Sequence, residues 1–491
     1  MTAESAHSLV PPTRIAVIGG GITGLAAAHR LMSTSDRIHA TLFEASYRLG
    51  GIIRTEEADG FLMELGPDSF ITNKPVGVQL CQEIGFADQL ISTEKRFRRS
   101  LVLRNGKPMP IPEGFQLTVP ANLWSVITSP VLSLTGRLRL LAEAFIPGRS
   151  TDDDETLKSF VTRRFGRQVF ERLVQPLVGG IYTADPSRMS LKATLPRFLE
   201  MERTHGSVIR AARAQRKAGR AATIESDDSS SDSGARYGLF TTASSGLGSL
   251  VASIEQWLKN RGRVTFRTGC EVTEIHPDAE TETGWTLKLR SAPSESFDAV
   301  IVTLPTFLAA KLMERPALQE LASALNGIEY ASSAIVLSAH RLADFAHPMD
   351  AFGLVIPAIE KRNILAVSFS SRKFANRAPE GHVLLRTFVG GAMQPELLQS
   401  DDDAISAMVN DELRQIFGMS ADPMFSEVVR YHNAMPQYHL GHLDRVARIV
   451  ALQSRFPGLQ LAGNAFHGVG IPDSIASGRD AADRIVAGNL G

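Results

Sequence analysis

Six residues, Gly19-Gly20-Gly21-Ile22-Thr23-Gly24, limit what this chain can become more than any others. They follow a continuously apolar run, Ile15 to Ile18, that reads as a buried strand of a parallel sheet. They precede an Ala- and Leu-rich stretch, Leu25 to Met32, that reads as a helix. Gly19 permits the tight turn, Gly21 lets the backbone approach a pyrophosphate, and Gly24 lets helix and strand pack closely. The helix N-terminus offers free N–H groups and a positive dipole end to an anion. Ala40 to Phe43 reads as a second strand, and Glu44 at its end stands 20 residues after Gly24, where ribose hydroxyls need a carboxylate. The first 44 residues therefore spell a dinucleotide-binding βαβ unit; a ligand-free glycine turn is the bland alternative.

These features do not separate FAD from NAD. The next residues favour FAD. In Glu44-Ala45-Ser46-Tyr47-Arg48-Leu49-Gly50-Gly51 the glycine pair lets more backbone close over an extended cofactor, and Arg48 offers a charged donor. Glu64-Leu65-Gly66-Pro67-Asp68-Ser69-Phe70 is another tight turn, whose backbone suits a flat ring. A second contact comes from the far end of the chain. Leu461-Ala462-Gly463-Asn464 reads as a strand end suited to ribityl hydroxyls and phosphate, and Gly468-Val469-Gly470-Ile471-Pro472-Asp473-Ser474 leads into a helix over 472–486. That helix N-terminus would stabilise negative charge at the N1–C2=O side of a reduced isoalloxazine.

A chain of 491 residues exceeds a single core. The organisation expected is a Rossmann-type FAD-binding domain of α/β character from 12–95, 237–305 and 445–491, with an antiparallel-sheet (α+β) substrate domain over 306–444. A mainly helical domain is expected over 96–205. Its apolar stretch from Leu117 to Pro147, with few charges beyond Arg137, Arg139 and Glu143, reads either as a packed helical domain or as a face resting on a membrane. Residues 206–236 include a Ser/Asp-rich run, Glu225 to Gly234, that reads as a disordered loop. Lys plus Arg and Asp plus Glu are equal at 52 each, so nothing draws the chain to nucleic acid. Cys81 and Cys270 are too few and too far apart for a zinc site or a disulfide framework. With no signal-like N-terminus and no run of 18 apolar residues, a cytoplasmic location is expected, peripheral membrane contact and a homodimer staying open.

With these residues in view, Gly19–Gly24, Glu44, Arg48–Gly51 and Gly463–Gly478 resemble the monoamine-oxidase and phytoene-desaturase superfamily of flavoproteins. Within it, Glu64–Phe70, Pro176-Leu177-Val178-Gly179-Gly180-Ile181-Tyr182, Met435-Pro436-Gln437-Tyr438 and Gly468–Asp473 resemble the oxygen-dependent protoporphyrinogen oxidases. The resemblance spans nearly the whole chain. It implies that Gly19, Gly20, Gly21, Ile22, Thr23, Gly24, Glu44, Ala45, Arg48, Gly51, Ile52, Gly66, Pro67, Asp68, Ser69, Val272, Gly463, Val469, Gly470 and Ile471 touch FAD. It also implies that Leu177, Gly180, Phe352 and Val355 wall a tetrapyrrole pocket, as a large flat apolar ring requires.

The implied reaction is six-electron oxidation of protoporphyrinogen IX by dioxygen, releasing hydrogen peroxide, in heme biosynthesis. Coproporphyrinogen III is the alternative substrate, and a flavin amine oxidase, a carotenoid desaturase or a non-catalytic flavin protein are rival readings. One position departs from the pattern: where many members carry a propionate-pairing arginine, this chain has Ser100, with Arg98, Arg99 and Arg104 as nearby substitutes. No side chain is singled out as a catalytic base, and His439 and His442 lack the further ligand that a metal would need.

Overall fold

The computed structural model describes residues 12–112, 115–116, 119–120, 129–149, 151–214, 240–278 and 284–489. The apolar run that opens the chain becomes the strand Thr13–Ile18, at the centre of a five-stranded parallel sheet. The order is Val264–Thr268, Ile38–Glu44, Thr13–Ile18, Ala299–Val302, Leu459–Leu461. The inner runs Ile15–Ile18 and Ala299–Val302 are apolar on both faces because both are covered. Ile15 and Val17 meet the helices Ile22–Thr34, Leu247–Arg261 and Ile471–Asn489. Ala16 and Ile18 meet a three-stranded antiparallel sheet (Val272–Pro277, Trp285–Leu289, Glu295–Phe297) and the helices Gln319–Asn326 and His442–Gln453.

Two glycines set how closely this layer closes. A methyl group on Gly24 would come within 2.0 Å of the Gly19 carbonyl oxygen, and one on Gly478 within 2.2 Å of the Thr23 carbonyl oxygen. The helix Ile22–Thr34 is thereby pressed between the first strand and the C-terminal helix.

The second domain is built on a seven-stranded sheet. Its order is Phe425–Pro436, Tyr330–Arg341, His382–Gly390, Ala366–Phe369, Gly353–Val355, Ser100–Arg104, Lys107–Pro110. The strands expected between Ala331 and Phe388 are present and pair antiparallel. Ser100–Arg104 and Lys107–Pro110, read from the sequence as part of a helical segment, instead extend this sheet, and Ser100–Arg104 runs parallel to Gly353–Val355.

Helices Leu157–Phe165, Gln175–Tyr182 and Pro196–His205 form a third cluster against it. Of the apolar Leu117–Pro147 stretch, residues 117–118 and 121–128 lie outside the described residues, as does the Ser/Asp-rich run. The described part holds a helix, Leu134–Leu141, that exposes Leu134 and Leu138. Arg137 donates to the carbonyls of Ser129 and Leu132, and Arg139 to those of Arg163 and Arg164. Glu143 is buried against Arg164 and accepts from Ser207, Val208 and Ile209. Among the described residues, no helix is long and apolar enough to cross a membrane.

His29, on the first helix, packs at a tilt against Trp257, ring centres 4.3 Å apart, and neither ring nitrogen has a hydrogen-bond partner. Burial first, then the charges of Arg479, Arg261 and Arg30, lower it from 6.5 to about 4. The folded state thus takes up this proton later than the unfolded chain does. Stability is unaffected above pH 6.5, begins to fall as the unfolded chain protonates below it, and levels off near pH 4. The full span is worth about 3 kcal/mol. Urea midpoints at pH 7.5 and pH 5 should show a loss in the wild type that shrinks in His29→Phe; an equal loss in both would exclude His29 as a source.

Candidate functional site

The glycine loop, the second-strand acid and the C-terminal turn meet at the C-terminal edge of the parallel sheet, the usual crevice for ligands in such folds. Gly19 takes φ +110°, a conformation open to glycine, and its amide donates to the Phe43 carbonyl at 2.8 Å. The Gly50 amide donates to the Gly20 carbonyl at 2.8 Å, so the Gly50-Gly51 turn docks on the glycine loop. A methyl group on Gly21 or on Gly463 would meet no atom within 4 Å. Both backbones therefore border open space, as contact with a pyrophosphate or a ribityl chain requires. Ile22 and Thr23 are buried in the first turn of the helix.

Glu44 is oriented by its neighbours. Its carboxylate accepts from the Gly20 amide (2.8 Å) on one oxygen and from the Ser46 amide and hydroxyl (2.9 and 2.8 Å) on the other. The Cys270 amide donates to the Glu44 carbonyl, which brings Val272 to the same edge. Ala45 is exposed beside it. Arg48 serves the turn rather than open space: its guanidinium donates to the carbonyls of Leu49, Gly51 and Ile53. Ile52 is half exposed at 51%, and a methyl group on Gly66 would lie 1.9 Å from its carbonyl oxygen. The two turns expected to meet the flat ring therefore touch each other.

The Gly66–Ser69 turn is held from the other domain, which sequence reasoning did not foresee. Asp68 pairs with Lys373 at 3.0 Å and Arg386 at 3.2 Å, and Lys373 also donates to Ser69. Arg386, buried in the strand His382–Gly390, donates to the Gly66 carbonyl as well. Burial alone would raise the Asp68 carboxyl, but the two cations outweigh it and hold it well below the usual range. Pro67 lies between these anchors.

The C-terminal turn is gripped in the same way. The Tyr438 hydroxyl donates to the Asn464 carbonyl (2.6 Å) and accepts from the Gly468 amide (2.8 Å), while its ring stacks on buried His442 at 3.9 Å. Val469 and Gly470 follow, and Ile471 opens the helix Ile471–Asn489.

Of the pocket residues, Gly180 and Val355 are brought together: a methyl group on Gly180 would lie 3.9 Å from a Val355 methyl carbon. Leu177 is buried one turn earlier on the same helix, in the cluster that Val355 packs against. Two residues beyond Gly180, half-buried Tyr182 has its phenol pushed up by burial and then by the charge of Asp473, which sits in the first turn of the C-terminal helix. Phe352 is buried just ahead of the strand Gly353–Val355, its amide donating to the Arg99 carbonyl, and is not drawn into the Leu177 cluster. Among the substitutes for the missing arginine, Arg99 is committed to Asp350 and Arg98 donates to the Thr93 carbonyl at 3.3 Å. Arg104 remains.

A family profile described as flavin containing amine oxidoreductase matches residues 22–486. The coproporphyrinogen III oxidase of Bacillus subtilis is 33% identical over 473 residues, covering 95% of this chain and 96% of the relative. Protoporphyrinogen oxidase 2 of Arabidopsis thaliana is 27% identical over 525 residues, covering 99% and 96%. A crystal structure of a provisionally named protoporphyrinogen oxidase from Exiguobacterium superposes with a TM-score of 0.82 at 28% identity, covering 96% of this chain and 98% of that one.

Removing the Asp68 charge leaves Lys373 and Arg386 unpaired in a largely buried setting. Asp68→Asn should destabilise the protein by about 3 kcal/mol. Because the folded carboxyl titrates below its unfolded value, this contribution is present above the usual carboxylate range and disappears in acid. Chemical unfolding at pH 7 measures the loss, and the gap between variant and wild type should begin to narrow at pH 3; a variant as stable as wild type at pH 7 would refute the role of the ion pairs.

Proposed function

Because this chain belongs to the flavin containing amine oxidoreductase family and works with FAD, we propose that it oxidises coproporphyrinogen III to coproporphyrin III with dioxygen as the acceptor. Six electrons and six protons leave the macrocycle, and three dioxygen molecules become three of hydrogen peroxide. The observation that carries this reading is the end-to-end match to the Bacillus subtilis enzyme, which is named for that substrate. Motif likeness alone ranked protoporphyrinogen IX first. The plant enzymes named for it match less closely, which makes it the second reading, favoured by the Exiguobacterium structure.

In this proposal Gly19, Gly20, Gly21 and Gly24 receive the pyrophosphate at the N-terminus of the first helix. Glu44 accepts from the ribose hydroxyls through the lone pairs that its backbone donors leave free. The turns at Gly51–Ile52 and Gly66–Ser69 border the ring, and Gly463 with Val469–Ile471 closes the other side. The free N–H groups and dipole of the helix opened by Ile471 stabilise negative charge there. FAD held by these residues would supply the redox chemistry, two-electron oxidation of the substrate and reoxidation by dioxygen. Leu177, Gly180 and Val355 give the macrocycle an apolar wall and exclude water from its face.

The flavin-loaded protein should convert coproporphyrinogen III to a fluorescent porphyrin under air, faster than it converts protoporphyrinogen IX, with three peroxides per porphyrin. Absence of fluorescence with both substrates would remove the reading, and a preference for protoporphyrinogen IX would restore the second one. In the same preparation Glu44→Gln should weaken FAD binding about tenfold, as loss of a charge-assisted hydrogen bond does.

A further inference from the structure

Among the described residues, two arginines beside the apolar wall stand without a partner. Arg104 ends the strand Ser100–Arg104 and is half-buried. Along that strand Leu101 and Leu103 point into the core of the large sheet, whereas Val102 points into the helical cluster that contains Leu177. By the two-residue alternation Arg104 shares the side of Val102. Val102 lies in register beside Val355, so Arg104 stands about 7 Å further along the same wall. Arg172, also half-buried, belongs to the segment Phe170–Val174, which contacts that strand and runs directly into the helix bearing Leu177 and Gly180.

Neither guanidinium has a hydrogen bond or an ion pair among the described residues. The acids at hand are occupied elsewhere. Glu360 uses its two oxygens on the amides of Asn105 and Gly106, at 2.9 and 3.1 Å. Glu171 pairs with Arg167, and Glu412 pairs with Arg362. Arg137, the third cation nearby, is held on two carbonyls. Burial, then the charges of Arg172 and Arg137, push Arg104 below its ordinary value, with Glu360 opposing. A guanidinium still keeps its proton at neutral pH, so among the described residues this region holds uncompensated positive charge. Such an arrangement costs folding energy unless an anion arrives.

We infer that Arg104 and Arg172 form a carboxylate-binding subsite at the rim of the substrate wall, which takes a propionate of the porphyrinogen in place of the arginine that Ser100 replaces. This rests on the porphyrinogen reading. A planar fork on each arginine suits a carboxylate, and the apolar wall suits the ring from which the propionate hangs. A substrate with four propionates has more ways to meet the pair than one with two.

The test uses flavin-loaded wild type, Arg104→Gln, Arg172→Gln and the double variant, with Arg104→Lys as the conservative change and Arg455→Gln as a remote control. Coproporphyrin III and protoporphyrin IX are titrated by fluorescence at low and high salt, and KM and kcat are measured with the corresponding porphyrinogens. Each Gln variant should weaken coproporphyrin III binding at least tenfold and raise KM with little change in kcat. The salt dependence should shrink, Arg104→Lys should recover part of the affinity, and Arg455→Gln should match wild type. If both Gln variants and the double variant bind each porphyrin as wild type does, the subsite is refuted while wild-type turnover leaves the function standing. If wild type binds and oxidises neither porphyrin, the function itself falls and the subsite with it. A variant that loses flavin absorbance is replaced by its Met counterpart, whose unchanged affinity and salt dependence would also count against the subsite.

Discussion

The closeness of the helix Ile22–Thr34 to its two neighbours is the constraint on which the site rests. At Gly24 there is room only for a hydrogen above the Gly19 carbonyl, and at Gly478 only for a hydrogen above that of Thr23. A larger side chain at either point would push the helix outward. The consequence reaches both chain ends, because the C-terminal helix is positioned by the same contact. Its first turn then stands near the glycine loop, and two helix N-termini converge on one crevice. Backbone amides and helix dipoles at that end of the crevice are what the proposed pyrophosphate contact would use.

Around this core the substrate domain reaches over and fixes the loops. Asp68 is tied by Lys373 and Arg386, and the C-terminal turn by Tyr438. In each case a residue of the large sheet, or of the segment just after it, supplies the tie. A loop held from the opposite domain keeps its place only while the two domains keep theirs. The geometry of the cofactor cradle is therefore coupled to the same sheet that carries the apolar wall, through hydrogen bonds and ion pairs that are largely withdrawn from water.

Much of this was legible in the sequence, for identifiable reasons. The βαβ unit shows itself because its strands are apolar on both faces and its turn needs glycine at fixed spacing. The Gly50-Gly51 turn was read as closing over a cofactor, and it docks on the glycine loop. Other features left no local trace. The strand Phe425–Pro436 is half exposed along most of its length, so it lacks the alternation that marks a strand. Ser100–Arg104 gains its place from a parallel partner some 250 residues away, which no neighbouring residue announces. Arg48, read as a ligand donor, holds carbonyls of its own turn, since an exposed guanidinium beside unpaired carbonyls finds those first. Arg137 holds carbonyls just ahead of its own helix and Arg139 those at the end of the helix Leu157–Phe165, partners that the sequence does not display.

The neutral charge balance of the chain is correct as a statement about non-specific attraction, yet it says nothing about where charge is left over. Exposed pairs such as Arg455–Glu320 and Arg414–Asp422 cancel locally and add little to stability. Arg164 with Glu143 cancels in the interior, where each would be costly alone. Once these pairs close, a surplus need only be small to matter, provided it lies where water is scarce. At Arg104 and Arg172 the nearest acids have been drawn off by backbone amides and other arginines. A chain with no net charge can in this way present a localised positive field along an apolar wall, and such a field selects a ligand that is greasy at its centre and anionic at its edge.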